Sequence, residues 1–547
     1  MTAHLLIGPV LRRIVGDTAS IWVETTEPAA VRVEAGGGGA GAAHTFSAYG
    51  HHYAIVIVEG LTRGAANPYT VFLDDQPVWP PEDSPYPRSV IRTRPAPDGD
   101  QPVTLIFGSC REATPHATTR KLPPDALDAL ARRLMSEPED GELRPDAIVL
   151  LGDQVYADKP TAKVKRFLKR RRAAGHHGPD DQVVSFDEYT KLYLESWRDP
   201  EVRWLFATVP TVMIFDDHEI IDDWNTSASW REEMSDQSWW RERISAGLAS
   251  YWVYQHLGNL SPDVLVADPL FQKITAVRDA TDLLHDFGVA VDRPESAENT
   301  DQPYQWSFAV DLGRTRLVVL DNRCNRVLTP GAREMLPAGE WSWFVDQAHG
   351  DFDHLVVGSS LPWLMPPAIH HGENWNERRA DSDDPRRAAA AERLRRAFDL
   401  EHWAAFNGSF NALADIFREV GGRNGSAPAS ISVLSGDVHH SYVARADLGG
   451  RTPVYQLTCS PIHNQVPAVM RPIMRFSWSR LAARGVRRLA ASAGVPKPAF
   501  TWRRLAGPYF GNAVSTLRLH GGSAEVTIEG TTSDGELFDV ASVKLTR

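Results

Sequence analysis

Six of the aspartates in four short polar clusters of this sequence, with three histidines, a tyrosine and a cysteine, are candidate metal ligands. Cys110 lies in GSCRE and Asp153 and Tyr156 in GDQVYAD. Asp216, Asp217, His218, Asp222 and Asp223 share DDHEIIDD, and Asp437, His439 and His440 share SGDVHHS. Carboxylates crowded into one pocket repel one another and are driven toward protonation unless cations neutralise them. If the clusters converge, they predict a metal centre, with two ions as the expected number. Carboxylate with imidazole suits first-row divalent metals or iron, whereas an all-oxygen shell suits calcium or magnesium. A phenolate at Tyr156 and a thiolate at Cys110 both favour a ferric ion. Taken singly, each cluster has a plainer reading: Gly-Asp is turn chemistry, DDHE a solvated acidic turn, GDVHH a cap with surface histidines.

The positions of the clusters favour convergence. Each follows an apolar run: VTLIF before GSCRE, AIVLL before GDQVYAD, TVMIF before DDHEIIDD and ISVL before SGDVHHS. Three more runs end the same way, RLVVL before Asp321-Asn-Arg323, HLVV before Gly358-Ser-Ser360, and VYQLT before CSPIHN. Four or five aliphatic and β-branched residues in a row predict strands buried on both faces. Open α/β sheets bind ligands beyond the carboxyl ends of such strands.

At 547 residues the chain is expected to form about two or three domains. No apolar segment approaches the ~20 residues of a membrane span. The first residues show neither a basic leader nor a cleavage site, so a cytoplasmic location is expected unless a leader has been removed. Three cysteines are too few for a disulfide framework. Cys324 and Cys459 read as buried thiols, while Cys110 follows a Gly-Ser turn on the active face. A net charge of −12 argues against a nucleic-acid partner. The charge is uneven: between Asp447 and Glu525 there is no acidic residue, yet eleven lysines and arginines.

Alternating segments such as Ser20–Thr26, Ala30–Ala35 and Tyr53–Leu61, with Gly-rich and Pro-rich punctuation, predict a β-sandwich of fibronectin/Ig-like type over residues 1–97. Thr93–Pro97 reads as its linker. From residue 98 to 465, strands alternate with helical stretches such as Pro124–Met135 and Arg386–Asp399, the rhythm of a layered α/β domain. Residues 466–547 contain a basic helical segment, expected as a lid, and then strands that complete a sheet edge.

In order and content, GSCRE, GDQVYAD, DDHE, LDNR and GDVHHS resemble the PhoD-like alkaline phosphatases, a branch of the calcineurin-like metallophosphoesterases. The likeness runs from about Phe107 to Asn464, and the N-terminal β-sandwich matches that family's arrangement. The resemblance implies iron together with calcium as cofactors. It implies Cys110 as a thiolate ligand and Tyr156 as a phenolate ligand of Fe3+, with Asp153 bridging two metal positions. It implies Asp217, Asp437 and His439 as further ligands and His218 as the non-ligand histidine facing phosphate. Two positions depart from the pattern. Ser359 and Ser360 stand where the superfamily has a metal-binding histidine, and Asp222 and Asp223 replace asparagines.

The expected chemistry is hydrolysis of a phosphoric ester. Two cations acidify a shared water, which attacks phosphorus in line with the leaving group while the charge on the oxygens is neutralised. His218 stabilises the transition state or protonates the departing alkoxide. Ser109 reads as a turn residue, and Arg111 and Arg323 are candidates to clamp phosphate. The substrate is a small-molecule or lipid phosphate ester. A second reading is a phospholipase D-like phosphodiesterase at an anionic membrane, prompted by the basic, Trp-containing segment Arg475–Gly494. A third is a binding module on a non-catalytic scaffold. Lys163–His177 carries seven basic residues around Val164, Phe167 and Leu168 and reads as a solvated helix, or as an attractor of anionic substrate.

Overall fold

The computed structural model describes residues 2–95, 101–118, 121–137, 144–292, 304–423 and 425–546. The end of the expected linker, Ala96 and Pro97, and the boundary placed there lie outside the described residues. All seven apolar runs are strands: Val103–Gly108, Ala147–Leu151, Thr211–Ile214, Thr315–Leu320, His354–Ser359, Ser430–Ser435 and Val454–Thr458. Their buried positions on both faces follow from a layered arrangement.

One sheet runs in the order Thr211–Ile214, Ala147–Leu151, Val103–Gly108, Ala513–His520, Ser523–Thr531, Leu537–Lys544. Its first three strands are parallel, and Val103–Gly108 pairs antiparallel with Ala513–His520, from Val103 opposite Leu519 to Phe107 opposite Ser515. The C-terminal strands therefore extend this sheet from its middle out to one edge. The second sheet has seven strands, and its central four, starting at Thr315, His354, Ser430 and Val454, are parallel.

Side-chain alternation explains why these strands read as continuous apolar runs. Leu105, Phe107 and Val149 of the first sheet meet Leu317, Val319, Val356 and Leu434 of the second in one shared core. The alternate residues Ile106, Ile148 and Leu150 face helices on the outer side of the first sheet. Val318, Val357 and Val433 face helices on the outer side of the second. Four layers result, and the parallel strands of both sheets deliver their carboxyl-end loops to one rim.

The expected helices form at Ala126–Ser136 and Pro385–Ala397. Asp125 caps the first, accepting from the Leu127 amide. The basic helix Ala162–Ala173 buries Val164 and Leu168. Its Arg171 and Arg172 pair with Glu188, so those two charges support structure.

The N-terminal residues form two antiparallel sheets, one of four strands and one of five. Ile21, Val23, Val56 and Val58 of one pack on Val31, Val33, Val71 and Leu73 of the other. This sandwich is fastened to the α/β layers. Arg12 donates to the Gln255 carbonyl (2.5 Å) and the Asn259 side chain (3.1 Å), and Tyr254 donates to Glu24 (3.0 Å). No helix among the described residues is long and apolar enough to cross a membrane.

Candidate metal centre

The site loops leave their strands through left-handed backbone. Cys110 (φ 59°), Asp153 (φ 55°), Asp437 (φ 63°) and His439 (φ 50°) all adopt a conformation that side-chain-bearing residues avoid. Each costs on the order of 1 kcal/mol or more and persists only where its surroundings impose it. Two glycines permit the close packing. A Cβ on Gly152 would lie 2.5 Å from the Asp216 Cβ, and one on Gly436 would lie 2.0 Å from Ser109 Oγ.

Hydrogen bonds then lock the loops together. The Cys110 and Arg111 amides donate to the carbonyls of Gly152 (3.2 Å) and Asp153 (2.9 Å). Ser109 Oγ accepts from the Asp437 amide (3.0 Å), which joins two loops. Glu219 accepts from the amides of Asp153 (3.0 Å), Gln154 (2.7 Å) and Asp216 (2.8 Å), so the glutamate of DDHE fastens the Asp153 and Asp216 loops to each other.

Three groups of carboxylate and imidazole come together among the described residues: Asp153 with Asp217 and His218; Asp158 with His218 and Asp222; Asp216 with Asp217 and Asp437. In each, the ligand atoms lie within 4.8 Å of one another. Neither Cys110 nor His439 belongs to these groups. Cys110 is fully buried, its Sγ 3.2 Å from Ser109 Oγ and Ser460 Oγ. Tyr156 donates to Asp153 (3.3 Å) and accepts from Asn464 Nδ2 (3.1 Å), which places the phenol beside the central carboxylate.

The electrostatics call for positive charge. Burial, and then the carboxylates of Asp217, Asp216 and Glu219, raise Asp153 far above the usual range despite His218 nearby. Burial, with Asp153 close by, likewise pushes up the Cys110 thiol and the Tyr156 phenol. Asp217 is raised to about 6, by burial first, against the pull of Arg323 and His218. Asp216 Oδ2 and Asp217 Oδ1 are buried without a hydrogen-bond partner. Buried polar atoms are seldom left so, and this donor set fits a bound cation.

His218 stacks on Tyr156, ring centroids 4.3 Å apart. Its Nδ1 lies 2.9 Å from Asp158, and its Nε2 3.5 Å from Asp222. Burial disfavours the imidazolium, but Asp158, Asp217 and Asp153 raise its pKa well above the ordinary value. Asp158, although buried, is held to about 2 by His218. Asp222, a departure from the family pattern, is paired with Lys159 (2.9 Å).

The two arginines are corrected. Arg111 donates to Asp125 (2.8 Å) and to the Ser196 carbonyl and hydroxyl (both 2.9 Å), and it is fully enclosed. Arg323 is fully buried, paired with Asp216 and with Glu401 (2.5 Å), its NH2 3.6 Å from Asp217. Both guanidinium groups are buried and committed mainly to protein carboxylates, with only their NH2 nitrogens lacking a hydrogen bond; Arg323 steadies the Asp216–Asp217 pair. Breaking a buried ion pair by removing one partner costs about 3–5 kcal/mol. Arg323→Gln is therefore expected to lower unfolding free energy by that order in a denaturant titration. A phosphate clamp would instead raise KM at unchanged stability.

One site residue escaped the sequence reading. His402 is buried, with Nδ1 2.7 Å from Glu373 and Nε2 3.3 Å from Asp437 but without hydrogen-bond geometry there. Burial lowers its pKa, yet Glu373 and Asp437 raise it to about 10. Its neighbour Trp403 donates to Ser359 Oγ (3.1 Å), the position where the family motif has a histidine. Ser360 holds Asn322 instead. His402 follows no apolar run, so only the His-Trp pair in LEHW hinted at it.

Two facing sheets, with helices on both outer faces, thus bring strand-end carboxylates and imidazoles that could hold a metal ion to one rim. The family model for PhoD-like phosphatase matches residues 131–265, and residues 2–91 match a domain of unknown function, DUF7800. The solved "Structure of PhoD" superposes with a TM-score of 0.58 at 12% identity, over 98% of this chain and 88% of that one. Maltogenic amylase from S. marinus reaches a TM-score of only 0.13 at 8% identity, with 98% and 81% of the two chains covered, and carries no argument. No curated protein matches in sequence. The resemblance to the PhoD-like phosphatases is borne out, in sequence over residues 131–265 and in fold over nearly the whole chain.

Proposed function

We propose that this protein hydrolyses a phosphoric ester at a centre of iron and a second, harder cation such as calcium. The observation that carries the reading is the set of buried carboxylates with unpartnered oxygens, gathered at the ends of strands from both sheets. Asp153 would lie between two metal positions, with Cys110 and Tyr156 on the iron side. Asp217, Asp437 and His439 would hold the other, and His402 would take the place of the missing motif histidine. When bound, the cations supply Lewis acidity and lower the pKa of water. The protein's own residues do the rest. Glu219 and Ser109 fix the loop geometry, Arg323 orients the Asp216–Asp217 pair, and Asp158 holds His218 protonated. An imidazolium so held can donate to a phosphoryl oxygen or to the leaving alkoxide.

The iron assignment has a direct optical test. A phenolate and a thiolate on Fe3+ should colour the purified protein through charge transfer, and Tyr156→Phe should shift or abolish the visible band. Chelation should remove both colour and phosphatase activity. A colourless, fully active protein containing only magnesium or zinc would overturn this ligand set.

A further inference from the structure

Two helices, Met470–Ser477 and Arg480–Ser492, follow the site segment that ends in Asn464, the residue bonded to Tyr156. Their inner side is anchored against the metal-site loop. Trp478 packs on the apolar cluster that contains Val438, between Asp437 and His439, and lies 5.2 Å from the Tyr442 ring. Arg475 covers Phe510 at 5.2 Å, and Phe510 in turn sits beside His440 (5.7 Å).

The outer side is apolar and open. Val469, Ile473 and Phe476, spaced four and three residues apart on one helical face, are 72%, 57% and 56% exposed, and Leu481 is 73% exposed. Single exposed apolar side chains are ordinary, but a contiguous ridge marks an interaction surface. Arg480, Arg484 and Arg488 are exposed beside it. Residues 448–524, which include the whole ridge, contain no acidic residue.

An apolar ridge whose own chain segment carries only cations matches a headgroup boundary, where large side chains enter the acyl layer and arginines stay level with anionic phosphates. A second copy docking through the same face would set like charge against like charge. We propose that this helix pair seats the metal-site loops against an anionic phospholipid surface, making lipid-borne phosphoric esters the substrate class. The substrate half of this inference rests on the phosphoesterase reading above.

The intact, metal-loaded protein should co-sediment with phosphatidylcholine vesicles containing phosphatidylglycerol, far less with phosphatidylcholine alone, and less as salt rises. Ile473→Asp with Phe476→Asp should weaken that binding about tenfold or more. Both positions face solvent, so turnover of soluble p-nitrophenyl phosphate should stay within about twofold. Absence of vesicle binding, or equal binding by the variant, overturns the docking surface while soluble activity leaves the phosphoesterase reading standing. A dimer that the same variant dissociates also overturns it, by assigning the ridge to a second copy. Vesicle binding without hydrolysis of either soluble or lipid ester supports the docking surface and overturns the substrate class alone.

Discussion

Replacing His218 by alanine is expected to reduce turnover by roughly 10²–10³-fold, the loss of about 2.7–4 kcal/mol that follows removal of one transition-state hydrogen bond. Metal content should stay close to that of the parent. The expectation stands on where the two ring nitrogens go. Nδ1 is committed to Asp158 at 2.9 Å, and that carboxylate raises the imidazole's pKa, which favours the form that donates from Nε2. Asp158→Asn should reproduce part of the defect, because it removes the charge that holds the imidazolium while keeping a polar side chain in place. Metal analysis of His218→Ala discriminates the two roles. A variant that loses an ion would make His218 a ligand, as its proximity to Asp153 and Asp217 also permits.

His402→Ala is expected to have the second large effect, and to show it in metal affinity rather than in chemistry alone. A buried imidazole with one nitrogen on a carboxylate and the other aimed at Asp437 has the arrangement by which proteins orient a metal-bound histidine. Titration of metal-stripped protein with calcium or iron should show one weakened or missing site in the variant. Glu373→Gln should weaken the same site about 10–100-fold, the usual consequence of losing such a supporting carboxylate. Unchanged affinity and stoichiometry in both variants would reduce His402 to an ion-pair partner of Asp437.

Much of this centre was legible in the chain because parallel strands buried on both faces must be written as continuous apolar runs. Their ends are therefore visible as abrupt changes to polar residues. That pattern singled out Cys110, Asp153, Tyr156, Asp217, His218, Asp437 and His439; the structure brings Asp153, Asp217, His218 and Asp437 into the carboxylate and imidazole groups and leaves Cys110 and His439 outside them. The layered architecture was legible for the same reason, and so were Val164 and Leu168 as the buried stripe of a basic helix. The roles of polar residues behind the rim were not legible. Arg111 and Arg323 stand at strand ends as phosphate clamps would, and only tertiary structure revealed Asp125, Ser196 and Glu401 as their partners.

Residues that meet only in three dimensions made up the rest. His402 is 35 residues before Asp437 in the chain and 29 after Glu373, and it lies on no strand end, so no local pattern could join them. The middle position of Val103–Gly108, between Ala147–Leu151 and a strand more than four hundred residues later, was equally invisible. So was the outward ridge of the basic helices, since amphipathic spacing predicts an apolar face without saying whether protein or solvent covers it. Period and burial are local consequences of backbone geometry and can be read along a chain. Partnership between distant polar groups is set by loop closure and packing, and it exists only once the sheets have assembled.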